Sequence, residues 1–283
     1  MTLKKDALEV LRATSRTFFV SIMGLPPQLH EAVASAYLSM RAIDEIEDHP
    51  ALDANTKALL LRDISLRLQQ AVGRGELDHS LVASSIYESL LPEVTTRIRE
   101  WELLAPGAIA PRIWAATSVM ADQMAYWVIN GWRIRTEADL DCYTLSVAGA
   151  VGVLLSDLWS WYDGTISKRE NAVGFGRGLQ AVNILRNRAE DLARGVDFFP
   201  AGWNEQDLRF YAKRNLSLAD AYVKALSPGP AVDFCRVPLA LAYATLDALA
   251  LGERKLSRDA VVSLVRREQT IALQIKRQLE QQP

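Results

Sequence analysis

Two aspartates four residues apart, Asp44 and Asp48, share one face of a helical pattern with Tyr37 and Arg41. Carboxylates one turn apart project side by side and can hold a hard divalent cation through oxygen, and magnesium suits that pairing best. A second polar stripe runs through the stretch from Ala172 to Pro200. Gly176, Gln180, Asn183, Asn187 and Asp191 follow Ala172 by 4, 8, 11, 15 and 19 residues, near one line of a helix with about 3.6 residues per turn. Its upper end is small and apolar, and its lower end offers amide oxygens and a carboxylate. Mg2+ completes its octahedron with water and phosphate oxygens, so the ligand implied by Asp44, Asp48, Asn187 and Asp191 is a diphosphate. Arg41, Arg186 and the cluster Ser15, Arg16 and Thr17 supply donors for the remaining phosphate charge. Metal and arginines together stabilise a departing diphosphate. An acidic run such as DEIED is ordinarily a solvated helix face. Here it shares that face with Tyr37 and Arg41, and the second stripe places Gln180, Asn183 and Asn187 in an apolar sequence where unpaired polar groups are costly. Two polar faces on otherwise apolar helices suggest one site between them.

The elements that must position these residues are helical almost everywhere. Apolar periodicity predicts helices at about 28–48, 55–72, 80–91, 93–104, 111–130, 137–162, 167–193, 204–226, 231–249 and 257–280, with no convincing strand. His49-Pro50 and Gly195 read as stops, Asn204 with Asp207 and Ser257 as N-terminal caps, and Pro228-Gly229-Pro230 as a tight connection. With 283 residues, 49% of them hydrophobic, and a net charge of -2, the chain can bury a sizeable core and lacks the basic excess that nucleic acid requires. No linker or repeat is evident, so residues 1–283 are expected to form a single all-α domain, a helical bundle with a central cavity.

Cys142 and Cys235 are too few for a disulfide framework, read as buried thiols, and favour a reducing compartment. The N-terminus has no apolar run resembling a signal peptide. The longest apolar run, VAGAVGVLL, is less than half of the roughly 20 residues that a membrane span needs. The expectation is a cytoplasmic protein without a transmembrane segment, with peripheral membrane contact and the choice between monomer and homodimer left open. His30, His49 and His79 receive no role, and Trp127 and Trp132 read as packing. Gly174-Phe-Gly176-Arg-Gly178 follows no strand and reads as close helix approach rather than a nucleotide loop.

At these residues the sequence resembles the squalene and phytoene synthase family, whose members share an all-α isoprenoid synthase fold. Arg41-Ala-Ile-Asp44-Glu-Ile-Glu-Asp48 is similar to the family's first aspartate-rich motif. Gln180-Ala-Val-Asn183-Ile-Leu-Arg186-Asn187-Arg-Ala-Glu-Asp191 is similar to its second, approximately Q-x-x-N-I-L-R-D-x-x-x-D. Tyr143-Thr-Leu-Ser-Val147-Ala148-Gly149-Ala-Val151-Gly152 resembles the helix between them, and Ser15-Arg16-Thr17-Phe18 the phosphate-binding segment. The resemblance implies a magnesium-dependent prenyltransferase. An allylic diphosphate, farnesyl or geranylgeranyl, ionises on a metal cluster, and the double bond of a second prenyl diphosphate captures the cation. Tyr143 and Val147 would line the prenyl channel, and Ala172 and Gly176 would leave room for the isoprenoid tail. The resemblance places Asp44, Asp48, Asp191, Tyr143 and Arg41 in catalysis, with Tyr37, Gln180, Asn183 and Arg186 among the substrate-binding residues. No nicotinamide fingerprint is visible, yet the family binds NADPH without one, so that cofactor stays open.

Asn187 departs from the pattern: it keeps a carbonyl ligand but removes one negative charge. Two alternatives therefore remain beside the head-to-head synthase. One is an enzyme like class I terpene synthases, acting on one prenyl diphosphate or on another acceptor. The other is a non-catalytic member acting in assembly, as the family's mitochondrial respiratory-complex assembly factors do.

Overall fold

The computed structural model describes residues 5–15, 17–77, 87, 89–253 and 255–280, and among them there is no β-strand. The helices are α1 (Lys5–Ser15), α2 (Thr17–Met23), α3 (Pro27–Glu47), α4 (Ala54–Arg74), α5 (Glu93–Thr96), α6 (Ile98–Glu102), α7 (Ala110–Ile129), α8 (Glu137–Thr144), α9 (Ala150–Asp163), α10 (Arg169–Ala193), α11 (Glu205–Ala225), α12 (Pro230–Ala250) and α13 (Arg258–Glu280). A π-helical turn, Leu145–Gly149, joins α8 to α9.

Local chemistry sets most of these ends. Asp53 accepts from the Asn55 and Thr56 amides at the start of α4, and Asn204 with Asp207 closes a capping box on α11. Ser257 accepts from the Ala260 amide, as its sequence position predicts. Gly75 and Gly164 end α4 and α9 in the left-handed region, at φ 74° and 78°. The expected helix at 93–104 is instead two short ones. The Trp101 indole N–H donates to the Val94 carbonyl at 2.7 Å, taking the acceptor that the Ile98 amide would use in a continuous helix. The expected helix at 80–91 falls mostly outside the described residues, as does His79. Cys235 is buried, whereas Cys142 is exposed, because it faces outward from α8 beside buried Tyr143 and Thr144. That corrects the expectation of two buried thiols.

The helices group into two compact units: Met1–Ile22 with Pro26–Arg133, and Met23–Leu25 with Ile134–Pro283. In the first unit α3 is the hub, packed by α1, α4, α5, α6 and α7. Ala32 to Ala36, Leu38 to Met40, Ala42, Ile43 and Ile46 are all buried, so α3 is covered nearly all round. Its least covered line is Tyr37, Arg41, Asp44 and Asp48. The polar stripe is the face that the core of this unit leaves open.

The hub of the second unit is α10, packed by α8, the π-turn, α9, α11 and α12. Small residues set how close these helices come. A Cβ on Gly176 would lie 2.1 Å from the Ala148 carbonyl oxygen, and one on Gly152 would lie 2.0 Å from that of Ala172. On the other side, a Cβ on Gly174 or Gly178 would meet the side chains of Leu218 and Leu216 of α11 at 2.5 and 2.8 Å. The glycine run is thus a close helix approach on two sides. The space beside Gly176 is filled by the backbone at Ala148 and Gly149, and Ala172 is fully buried.

Candidate active site

The first stripe occupies the C-terminal half of α3. Arg41 donates from Nη1 to Asp44 Oδ2 at 2.5 Å, and from Nη2 to Glu45. The side chains of Arg41 and Asp44 are each about a third exposed, at 33% and 32%. Asp48 is exposed and caps the helix, its amide donating to the Asp44 carbonyl at 2.9 Å. Asp44, Glu45, Glu47 and Asp48 thus crowd the negative end of a helix dipole, where cations rather than anions are favoured. An acidic run in that place is locally unfavourable and creates a demand for positive charge, met here by Arg41.

Upstream, Tyr37 donates its hydroxyl to the Thr14 carbonyl at 2.9 Å, tying the stripe to the end of α1. Its ring lies 6.4 Å from that of Phe18. Ser15 is buried and donates back to the Leu11 carbonyl within α1. Arg16 lies outside the described residues, and the side chain of Thr17 is not described.

The second stripe lies in α10. Arg186 donates from Nη2 to Asn183 Oδ1 at 2.6 Å and from Nε to Asn187 Oδ1 at 3.1 Å. Asn187 also donates its amide N–H to Asn183 Oδ1 at 3.2 Å. Asp191, only 8% exposed, accepts from Arg194 at 2.7 Å. It too sits in the last turn of its helix, at the negative end of the dipole. Gln180 is half-buried on the same helix. Each stripe therefore pairs its oxygen donors with an arginine on its own helix: Arg41 with Asp44, and Arg186 with Asn183 and Asn187.

Among the described residues no three His, Cys, Asp or Glu side chains cluster as a cation cage. Mg2+ keeps several waters and takes one or two carboxylates together with substrate phosphate, a demand that each stripe taken by itself fits. In the first unit Asp44 and Asp48 would supply paired carboxylates, and in the second Asp191 and Asn187 would supply a carboxylate and an amide oxygen.

Tyr143, 4% exposed, stacks on Phe198 with ring centroids 4.6 Å apart, and Val147 lies half-buried in the π-turn. Single π-turns inside α-helices concentrate at functional sites. Beside that turn, Tyr211 donates to Asp141 at 2.7 Å and lies 3.0 Å from the Thr144 hydroxyl, pinning α8 to α11. Burial pushes the Tyr211 phenol well above its ordinary range.

Arg194, Glu47, Phe198 and the π-turn have no role in the sequence pattern, and Trp132 reads there only as packing. The one signal available was the spacing of Arg194 three residues after Asp191. Trp132 carried no local mark at all.

Comparison with known proteins brings these features together. Residues 11–210 match the squalene/phytoene synthase family. The squalene synthase of Eremothecium gossypii is 28% identical over 291 residues, covering 91% of this chain and 64% of that protein. The human squalene synthase is 26% identical, covering 95% of this chain and 68% of its own length. Across the first relatives matched, the chain spans between 44% and 64% of their length. Among solved structures, the squalene synthase TcSQS with a bound ligand superposes with a TM-score of 0.75 at 23% identity, over 93% of this chain and 84% of that one. A dehydrosqualene synthase superposes with a TM-score of 0.66 at 16% identity, over 94% and 95% of the two chains. At these identities the superpositions establish a common all-α fold, while the match over residues 11–210 carries further: this chain belongs to the squalene/phytoene synthase family.

Proposed function

We propose that this chain is a magnesium-dependent prenyltransferase that condenses two allylic prenyl diphosphates head-to-head. The observation that carries the reading is the repeated one. Each hub helix carries a stripe of oxygen donors in its C-terminal half, held by an arginine of the same helix. The squalene synthases that match over most of this chain support the same chemistry.

In this reading Asp44, Asp48, Asp191 and Asn187 hold the metal. When bound, Mg2+ neutralises and polarises the departing diphosphate as a Lewis acid. Arg41 and Arg186 turn their donors from side-chain oxygens to phosphate oxygens, which leaves Asp44 and Asn187 free to coordinate. The allylic C–O bond breaks with its electron pair leaving on the diphosphate. The double bond of the second substrate then attacks the allylic cation, and loss of one proton closes a cyclopropane. Ser15, Arg16, Thr17, Tyr37, Gln180 and Asn183 bind the diphosphates. Tyr143 and Val147 line the path of the prenyl chain, with Ala172 and Gly176 setting its boundary through helix packing.

One helix, Glu137–Asp163, is long and apolar enough to cross a membrane, with 33% of its apolar window buried. The backbone contacts of Gly152 and Gly149 with α10 favour a packed helix of the fold instead. A cytoplasmic, membrane-peripheral protein is the location we propose.

Incubation with farnesyl and geranylgeranyl diphosphates plus Mg2+, with and without NADPH, tests the function by mass spectrometry. A cyclopropyl diphosphate, or a hydrocarbon with the carbons of two substrates, is expected. A product holding the carbons of a single prenyl chain would sink the condensation, and no diphosphate release at all would favour the assembly role.

A further inference from the structure

The last turn of α3 is gripped from outside by residues that the reaction itself does not require. Glu47 lies between Asp44 and Asp48 in sequence but turns inward, with only 6% of its surface exposed. Its Oε1 accepts the Trp132 indole N–H at 2.5 Å. Its backbone carbonyl, one of the orphan acceptors at a helix C-terminus, accepts from Lys57 Nζ at 2.6 Å. That ammonium also stands 5.9 Å from the centroid of the Trp132 ring. Three pieces of the first unit therefore converge on one residue: the end of α3, the first turn of α4 and the segment after α7.

Trp132 has an unusual backbone. At φ 47° it is the non-glycine residue with positive φ among those described, and it follows Gly131 at φ 62°. Its amide donates to the Trp127 carbonyl at 3.0 Å, closing the end of α7. Large residues avoid the left-handed region, and such strain persists where the surroundings over-determine it. Here the strain aims the indole at Glu47.

We propose that Trp132, Glu47 and Lys57 form a latch that fixes the rotation of the last turn of α3, and with it the spacing that Asp44 and Asp48 offer a divalent cation. The proposal rests on the diphosphate reading above. Mg2+ demands near-ideal octahedral geometry, and loss of a partner that orients a metal ligand costs about ten- to a hundredfold in metal affinity. On a helix whose end carries four acids, the turn would otherwise fray or twist. The latch satisfies the terminal carbonyl and the buried carboxylate together. Glu47, Trp132 and Lys57 are positioning residues in this account and touch no substrate.

The test uses a non-hydrolysable prenyl thiodiphosphate and a Mg2+ titration read by thermal shift, so that no turnover is needed. Trp132→Phe keeps the ring and loses the N–H. It should raise the Mg2+ concentration for half of the full shift by about tenfold. Glu47→Gln keeps an accepting oxygen in place and should stay within about twofold of wild type. In 15N-indole spectra, the Trp132 N–H resonance should move when Mg2+ and the analogue are added together. Superimposable titrations for Trp132→Phe and wild type, or an unmoved indole resonance, overturn the latch. A loss in Glu47→Gln as large as in Trp132→Phe also overturns it, because Glu47 would then be acting through its charge as a ligand. If Trp132→Phe does not fold, Lys57→Met carries the test: it should move the titration in the same direction by about threefold, and superimposition again overturns. A wild type that shows no Mg2+-dependent shift overturns the diphosphate reading itself and the latch with it, whereas a normal wild type with unmoved variants overturns the latch alone.

Discussion

The two stripes, which the proposed function assigns to the same ligand class, are made of unlike materials. The stripe of α3 is carboxylate-rich and partly open, and Arg41 is placed so that it contacts Asp44 and Glu45 at once. That of α10 is amide-rich: Asn183 and Asn187 share Arg186, and the carboxylate of Asp191 is almost covered and paired with Arg194. A carboxylate attracts a cation by charge before any substrate arrives, whereas an amide oxygen offers a lone pair and no net charge. On the reading proposed above, the first stripe would recruit metal by its own charge, and the second would depend on the diphosphate to bring it.

Removing charge from either stripe gives the largest expected effect. Asp44→Ala or Asp48→Ala should lower diphosphate release by about a thousandfold or more while leaving the helical circular dichroism intact, since these side chains pack against little. Asp191→Ala should cost activity and, being buried against Arg194, some stability as well. Near-native turnover of either α3 variant at saturating Mg2+ would end the metal assignment.

The scaffolds beneath the stripes should differ too. In the second unit, Gly176→Ala places a Cβ 2.1 Å from a backbone oxygen that has no side-chain freedom to yield. A loss of about 1–3 kcal/mol or more is expected, read as a lower denaturant midpoint at unchanged slope. An alanine variant as stable as wild type would show that α10 and the π-turn are not in backbone contact.

A sharper probe of the comparison is Asn187→Asp, which makes the second stripe resemble the first. It should lower the Mg2+ concentration for half-maximal activity by several-fold, on the order of the change expected when a charged ligand replaces a neutral one. Superimposable rate titrations would leave Asn187 as a hydrogen-bonding residue of α10.

The last contrast concerns what supports each hub. In the second unit the buried Tyr211 is fully engaged with Asp141 and Thr144. The first unit instead buries Glu102 completely, and burial pushes its carboxyl up to about 8. Ser39 and Thr117 ease that rise, while neither carboxyl oxygen has a completed hydrogen bond. With the folded-state value above the ordinary one of 4.5, stability is full below about pH 4.5 and is lost as pH climbs towards about 8. Glu102→Gln should therefore match wild type near pH 4.5 and melt progressively higher than wild type as pH rises to 8. Parallel melting curves across that range would rule out a buried neutral carboxyl.

By itself the sequence determined most of the longer helices and marked the residues whose types could bear chemistry, while α1 and α2 were not read from it. Helix periodicity and capping are local, so α3, α4, α7 and α10 to α13 could be read to within a few residues from apolar spacing, from Asn204 with Asp207, and from Ser257, whereas α8 and α9 read as one helix without the π-turn between them. The two stripes were visible for the same reason, because residues one turn apart share a face wherever the helix packs. Tertiary structure decided what lay on the other faces. Trp101 broke one expected helix through a bond to Val94, and Gly176 and Gly152 met carbonyls from distant stretches of chain. Trp132 reached Glu47 across 85 residues of sequence. Such contacts depend on which helix lies beside which, and a pattern with a period of about 3.6 residues holds no information about its neighbour.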